Sequence, residues 1–106
     1  MRKLRINPVA RKDLLKIKEY ITEELDNPTA AENVIKKIVE SYEKLKDFPL
    51  MGVELSSKID IATDYRFLVS DKYIIFYKID EEYIYIYRVL YGKRDYARIL
   101  FDEEGI

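Results

Sequence analysis

Apolar residues recur along this chain with two different periods, and the switch between them divides it. Near the start, Lys3-Leu4-Arg5-Ile6 alternates charged and apolar residues like a short strand. Asn7-Pro8 follows, a helix cap ahead of a proline whose missing N–H costs nothing at the first helical position. From there Ala10, Leu14, Ile17, Ile21 and Leu25 come three or four apart, the stripe of an amphipathic helix with lysines and glutamates outside. Asp26-Asn27-Pro28 ends that helix and repeats the cap-plus-proline signal. A second helix is predicted from there to about Asp47, burying Ala31, Val34, Ile35, Ile38, Tyr42 and Leu45. Two amphipathic helices with so short a connection pack antiparallel as a hairpin.

Phe48-Pro49-Leu50-Met51-Gly52 breaks the second helix, because proline cannot continue it and glycine marks a turn. Val53 to Thr63 reads as a loop or irregular edge. Beyond it the period becomes two. Tyr65–Val69, Tyr73–Ile79 and Tyr83–Tyr91 are rich in β-branched and aromatic residues and are separated by Ser70-Asp71-Lys72 and Asp80-Glu81-Glu82. They predict a three-stranded antiparallel meander whose sheet Lys3–Ile6 joins. In the last strand Tyr83, Tyr85 and Tyr87 fall on one face, with Ile84, Ile86 and Arg88 on the other. The last two strands are apolar or aromatic on both faces, which a sheet with one wet face does not need. One face packs on the helix hairpin; the other either receives Ala97–Phe101 or awaits a partner. The fold class is therefore α+β: a short N-terminal strand and an antiparallel helix hairpin packed on an antiparallel sheet, in the order β-α-α-β-β-β.

A chain of 106 residues is read as one domain, with an acidic frayed tail from Asp102 to Ile106. It contains no cysteine and no histidine, so a structural zinc site is excluded and carboxylates remain the available metal ligands. Glu23-Glu24, Glu81-Glu82 and Glu103-Glu104 are adjacent acids at a helix end, a turn and the tail, which reads as solvated surface; no metal or cofactor is expected. Apolar runs fall far short of the roughly 18 residues that span a bilayer, and the basic start lacks a secretory apolar segment. The expectation is a cytoplasmic protein with no membrane contact.

Formal net charge is -1, but it is unevenly spread. Residues 1–18 carry Arg2, Lys3, Arg5, Arg11, Lys12, Lys16 and Lys18 against Asp13 alone, whereas residues 19–47 carry eight acids against four lysines. Enzyme readings start badly without histidine, the usual general base at neutral pH. No serine has a partner base, and no phosphate-binding glycine motif is present. The best functional candidates are Arg66, Arg88, Lys93, Arg94 and Arg98, interleaved with Tyr65, Tyr87, Tyr91 and Tyr96. Such residues hold phosphate and stack on bases, pair with acids of a partner protein, or coat a sheet edge against aggregation. All three uses stay open at this point.

The element order, together with "ARKDLLKIKEYI", "NPTAAENVIKKI", "LKDFPLMG", "YIIFYKID" and "YRVLYGKRDY", resembles the RelE/ParE superfamily of toxins from bacterial type II toxin–antitoxin systems, over about Ile6 to Phe101. The resemblance implies one of two targets: RelE-like toxins cut mRNA in the ribosomal A site, and ParE-like toxins poison DNA gyrase. Where the nucleases have tyrosine and a catalytic arginine, this chain has Tyr73-Ile74, and a second nuclease lysine corresponds to Leu68. Arg66 and Arg94 match nuclease positions, and Tyr96 would help proton transfer. The helix hairpin and the "YRVLYGKRD" ending are closer to the ParE side, and the slightly negative net charge suits a protein target better than mRNA.

The resemblance thus implies a growth-inhibiting toxin of a plasmid-stabilising module, binding DNA gyrase and neutralised by a cognate antitoxin whose disordered C-terminal segment folds on binding. DNA would be met only through the antitoxin. The expected target- or antitoxin-binding set is Arg11, Lys12, Arg66, Tyr87, Arg88, Tyr91, Lys93, Arg94 and Tyr96. The alternatives are a ribosome-dependent mRNA endoribonuclease using Arg66, Arg94 and Tyr96, and a non-toxic binding or co-repressor module.

Overall fold

A computed structural model, which describes residues 1–102, has the α+β order read from the sequence. Strand β1 spans Lys3–Ile6, and the helices α1 and α2 span Pro8–Glu23 and Pro28–Glu43. Both helices begin as their Asn-Pro pairs dictate. The side-chain oxygen of Asn7 accepts from the Val9 N–H at 2.8 Å, and that of Asn27 from the Ala30 N–H at 3.0 Å. Asp26 takes the left-handed conformation, φ 49°, which aspartate tolerates better than most residues. The helices then pack on each other as a hairpin. Two ends differ from expectation. Because α1 closes at Glu23, Leu25 falls outside the stripe and is exposed; α2 closes at Glu43, and a 3₁₀ turn over Lys44–Lys46 carries Leu45 into the core.

The sheet has five strands in the order β1-β5-β4-β3-β2, with β2 at Val53–Glu54, β3 at Arg66–Ser70, β4 at Tyr73–Ile79 and β5 at Tyr83–Tyr91. The meander is β3-β4-β5. Strand β1 joins it parallel to β5, so the sheet is mixed rather than wholly antiparallel. Val53–Glu54, within the stretch read from the sequence as a loop or irregular edge, pairs with Phe67 and Arg66 as an edge strand. Two residues are too few to show an alternation.

A bulge interrupts β5. Phe76 pairs with Arg88 and Tyr77 with Ile86, which leaves Tyr87 without an opposite residue. The bulge resets the alternation, and Val89, rather than Arg88, joins Ile84 and Ile86 in the helix-facing core. That core sets Ala10, Ile38, Tyr42 and Leu45 against Ile75, Tyr77, Ile84, Ile86 and Val89. The opposite face of the sheet carries a second cluster, in which Ile99 and Leu100 pack with Leu55, Tyr65, Phe76 and Leu90. The C-terminal segment therefore covers this face. Its leucines at 55, 90 and 100 are each 1% exposed and contribute about 1.5–3 kcal/mol apiece by burial. A single π-helical turn over Arg98–Asp102 shapes the segment; Asp102, assigned from the sequence to the tail, ends that turn, and the rest of the tail lies outside the described residues. Among the described residues no helix is long and apolar enough to cross a membrane.

Candidate functional site

Strand β1 leaves the sheet after Ile6, with the Asn7 N–H making one more bond to the Ile86 carbonyl at 2.9 Å. Further along, the β5 edge faces α1. There the Asp13 carboxylate accepts from Val89 N–H at 3.0 Å and from Arg88 Nε and Nη2 at 2.8 and 2.9 Å. Asp13 thus completes a buried strand edge that β1 no longer covers. Arg88, expected from the sequence to face a target or antitoxin, is instead turned inward, its side chain 15% exposed in a two-pronged ion pair.

Arg66 is also engaged internally. Its Nη2 donates to the Gly52 carbonyl at 2.8 Å and lies 3.4 Å from the Leu50 carbonyl, while Nη1 stands 3.5 Å from Glu54. The buried Tyr77 hydroxyl completes the arrangement, donating to the Pro49 carbonyl at 3.1 Å and accepting from the Gly52 N–H at 3.0 Å. A β-carbon at position 52 would collide with that hydroxyl, so this close approach requires glycine.

Arg94 sits at the other end of β4. Arg66 is registered beside Tyr77, whereas Arg94 follows Tyr91, which is registered beside Tyr73. Four residues of strand, about 13 Å, separate those two positions along β4. With Lys16 of α1 and Lys72 of the β3–β4 turn, Arg94 rims an open groove of about 690 Å³. Ile17, Ile21, Val34, Val89 and Leu90 line it with apolar surface, and Tyr20, Tyr73 and Tyr91 add phenol rings. The Tyr73 and Tyr91 rings meet edge to face, centroids 6.0 Å apart. Burial, helped by Tyr91, pushes the Tyr73 phenol above its ordinary pKa, which keeps it protonated and able to donate. Asp71 and Asp13 are the acids at the wall, and Asp13 is already paired with Arg88. The groove is therefore apolar with a cationic rim.

Tyr87 and Tyr96 belong to the opposite face. Tyr87 meets Tyr65 edge to face at 5.4 Å, with the Lys78 ammonium 4.4 Å from the Tyr65 ring centre and 5.2 Å from that of Tyr87. Tyr96 packs on the Phe76 ring at 5.2 Å. Toward the start of β5, the Arg5 guanidinium stacks over Tyr83 at 4.2 Å and donates to its hydroxyl. The Tyr85 hydroxyl donates to Asp80 at 2.8 Å. Arg11 and Lys12 on α1, and Lys93 after β5, stand exposed without an ion pair among the described residues.

The residues singled out from the sequence consequently divide. Tyr91 and Arg94 come together at the groove; Arg66 and Arg88 tie the fold internally; Tyr87 and Tyr96 lie across the sheet. Arg66, Arg94 and Tyr96 do not converge on one point. Sequence reasoning missed Lys16, Tyr20, Lys72 and Tyr73 as groove residues, and Asp13 as the partner of Arg88. Asp13, Lys16, Ile17 and Tyr20 follow helical spacing along one flank of the α1 stripe, and Asp13 is the lone acid of a basic stretch, so a signal was present. Among the described residues no group of three or more acidic side chains is placed to hold a metal ion.

Comparison with known proteins agrees with this architecture. The fold matches a solved structure titled "Chromosomal ParDE TA system from P. aeruginosa" with a TM-score of 0.74, at 21% identity over 88% of this chain and 98% of that one. No curated protein matches the chain. A family model described as the ParE toxin of the type II toxin-antitoxin system parDE matches residues 4–96, which is most of the sequence and takes in the sheet and hairpin from the second residue of β1 onward. The chain belongs to the ParE toxin family of type II toxin–antitoxin systems.

Proposed function

We propose that this protein inhibits bacterial growth by binding DNA gyrase, and that a cognate antitoxin neutralises it by laying an acidic, amphipathic segment into the groove between α1, the start of α2 and the adjoining ends of β4 and β5. The observation that supports binding over cutting is the separation of Arg66, Arg94 and Tyr96. Arg66 donates to the Gly52 carbonyl, Arg94 rims the groove, and Tyr96 packs on Phe76 across the sheet. A phosphoryl-transfer site needs its charged groups and proton carrier around one phosphate. Ile74 and Leu68, at the positions where nucleases carry cationic side chains, support the same reading.

The groove has the chemistry for a segment that folds on binding. Its apolar floor takes the buried face of such a segment, and Lys16, Lys72 and Arg94 suit acids along its flank. Inducing the chain without antitoxin tests the target. Plasmid linearised by trapped gyrase, with intact mRNA, is expected; fresh 5′ ends within translated mRNA and undamaged plasmid would move the target to the ribosome.

A further inference from the structure

We infer that Asp71, the acid in the turn between β3 and β4, sets the register of the antitoxin segment by accepting a hydrogen bond from a basic side chain on it; this rests on the groove reading proposed above. The turn is a two-residue hairpin loop, Asp71-Lys72, closed by the paired Ser70 and Tyr73. Asp71 holds φ at 54°, in the left-handed region that glycine enters freely and aspartate enters under strain. Folding alone is therefore served better by glycine at this position. Aspartate commonly offsets such strain with a local hydrogen bond. Here, among the described residues, the exposed Asp71 side chain makes neither a hydrogen bond nor an ion pair. The other acid of the groove, Asp13, is held by Arg88 and the Val89 N–H. Of the two carboxylates at the groove, Asp71 is the one whose acceptor capacity is unused.

The charges around it indicate what it meets. Lys16, Lys72 and Arg94 line the same groove and suit acids of the bound segment, so Asp71 is the exception in a cationic rim. Its charge is felt inside the groove: the Tyr73 phenol is pushed up by burial first, then by Tyr91, Tyr20 and Asp71. A carboxylate there repels a uniformly acidic segment and opposes the attraction that the rim supplies. A segment with acids toward Lys16, Lys72 and Arg94 and one lysine or arginine toward Asp71 satisfies all four charges in a single register. Sliding that segment along the groove brings like charges together, so the lone acid rejects the wrong registers as well as favouring the right one.

Binding kinetics of the purified cognate antitoxin to Asp71→Asn in the full chain test this, because asparagine tolerates the same backbone and removes the charge. If the carboxylate merely lay beside the groove, neutralising it would strengthen the binding of an acidic segment. The inference predicts the opposite sign. Antitoxin affinity should fall at least about fivefold, through faster dissociation, with the melting temperature unchanged. Asp71→Gly, which relieves the strained φ, should lose the same affinity while melting no lower than the parent. Equal or tighter binding by either variant would overturn the inference. In that event Lys16→Glu/Lys72→Glu separates the two readings: weaker binding by this variant leaves the groove assignment standing without a role for Asp71, and unchanged binding removes both.

Discussion

Asp13 and Arg88, seventy-five residues apart in sequence, form the internal ion pair through which α1 is fastened to the edge of β5. The same carboxylate receives the Val89 N–H, so one side chain neutralises a buried cation and closes a strand edge. Removing the carboxylate takes from Arg88 its two-pronged partner and from Val89 its acceptor, and removing the guanidinium takes from the buried Asp13 charge its cation. Asp13→Ala is expected to cost about 3–5 kcal/mol in urea denaturation, and Arg88→Ala a similar amount. The pair Asp13→Leu/Arg88→Met should cost less than the two single changes together, because the ion pair is removed whole, although the Val89 N–H still loses its acceptor. A loss of toxicity in Arg88→Ala alone would therefore report folding before it reported any contact with a target.

Tyr77→Phe should cost about 1–3 kcal/mol, because the buried Gly52 N–H and the Pro49 carbonyl both lose their partner. Gly52→Ala should cost a comparable amount by forcing a methyl against the same hydroxyl. Thermal melts give the stabilities, and amide exchange at Gly52 should accelerate in Tyr77→Phe.

Asp80 gives an acid-sensitive turn between β4 and β5. Hydrogen bonds from the Tyr83 and Glu82 N–H groups, with a third from the Tyr85 hydroxyl, hold its carboxyl below the usual aspartate range. Since the folded value lies below the unfolded value of about 3.9, the turn's contribution is fully present above that pH and is lost as pH falls through the lowered folded value. Stability measured against pH should show this loss in the parent and a flatter acid limb in Asp80→Asn.

At the groove, Lys16→Glu/Lys72→Glu should weaken antitoxin binding by roughly tenfold, on the order of 1–2 kcal/mol for two exposed charges reversed. Calorimetry at two salt concentrations should also show a shallower salt dependence than in the parent. Unchanged affinity would place the antitoxin elsewhere.

Where local chemistry decides, the sequence was legible. The Asn-Pro pairs marked both helix starts, the three-and-four spacing gave α1 and α2, and the period of two gave β3 to β5 nearly to the residue. What it hid depends on pairing between distant segments. The parallel docking of β1 on β5, the two-residue strand Val53–Glu54 and the bulge at Tyr87 are set by registers that no short window records. That bulge is why strict alternation misassigned Arg88, and why charge alone could not tell an inward arginine from one available to a partner. The groove was illegible for a related reason: Lys16, Lys72 and Arg94 lie on three separate elements and meet only in the folded chain.

The central claim, a ParE-family toxin that acts by binding gyrase, is tested most directly by titrating the purified chain into a gyrase supercoiling reaction, with and without its antitoxin. The expected result is loss of supercoiling with accumulation of cleaved plasmid, reversed by stoichiometric antitoxin. Full supercoiling activity in the presence of folded, growth-arresting protein would contradict it.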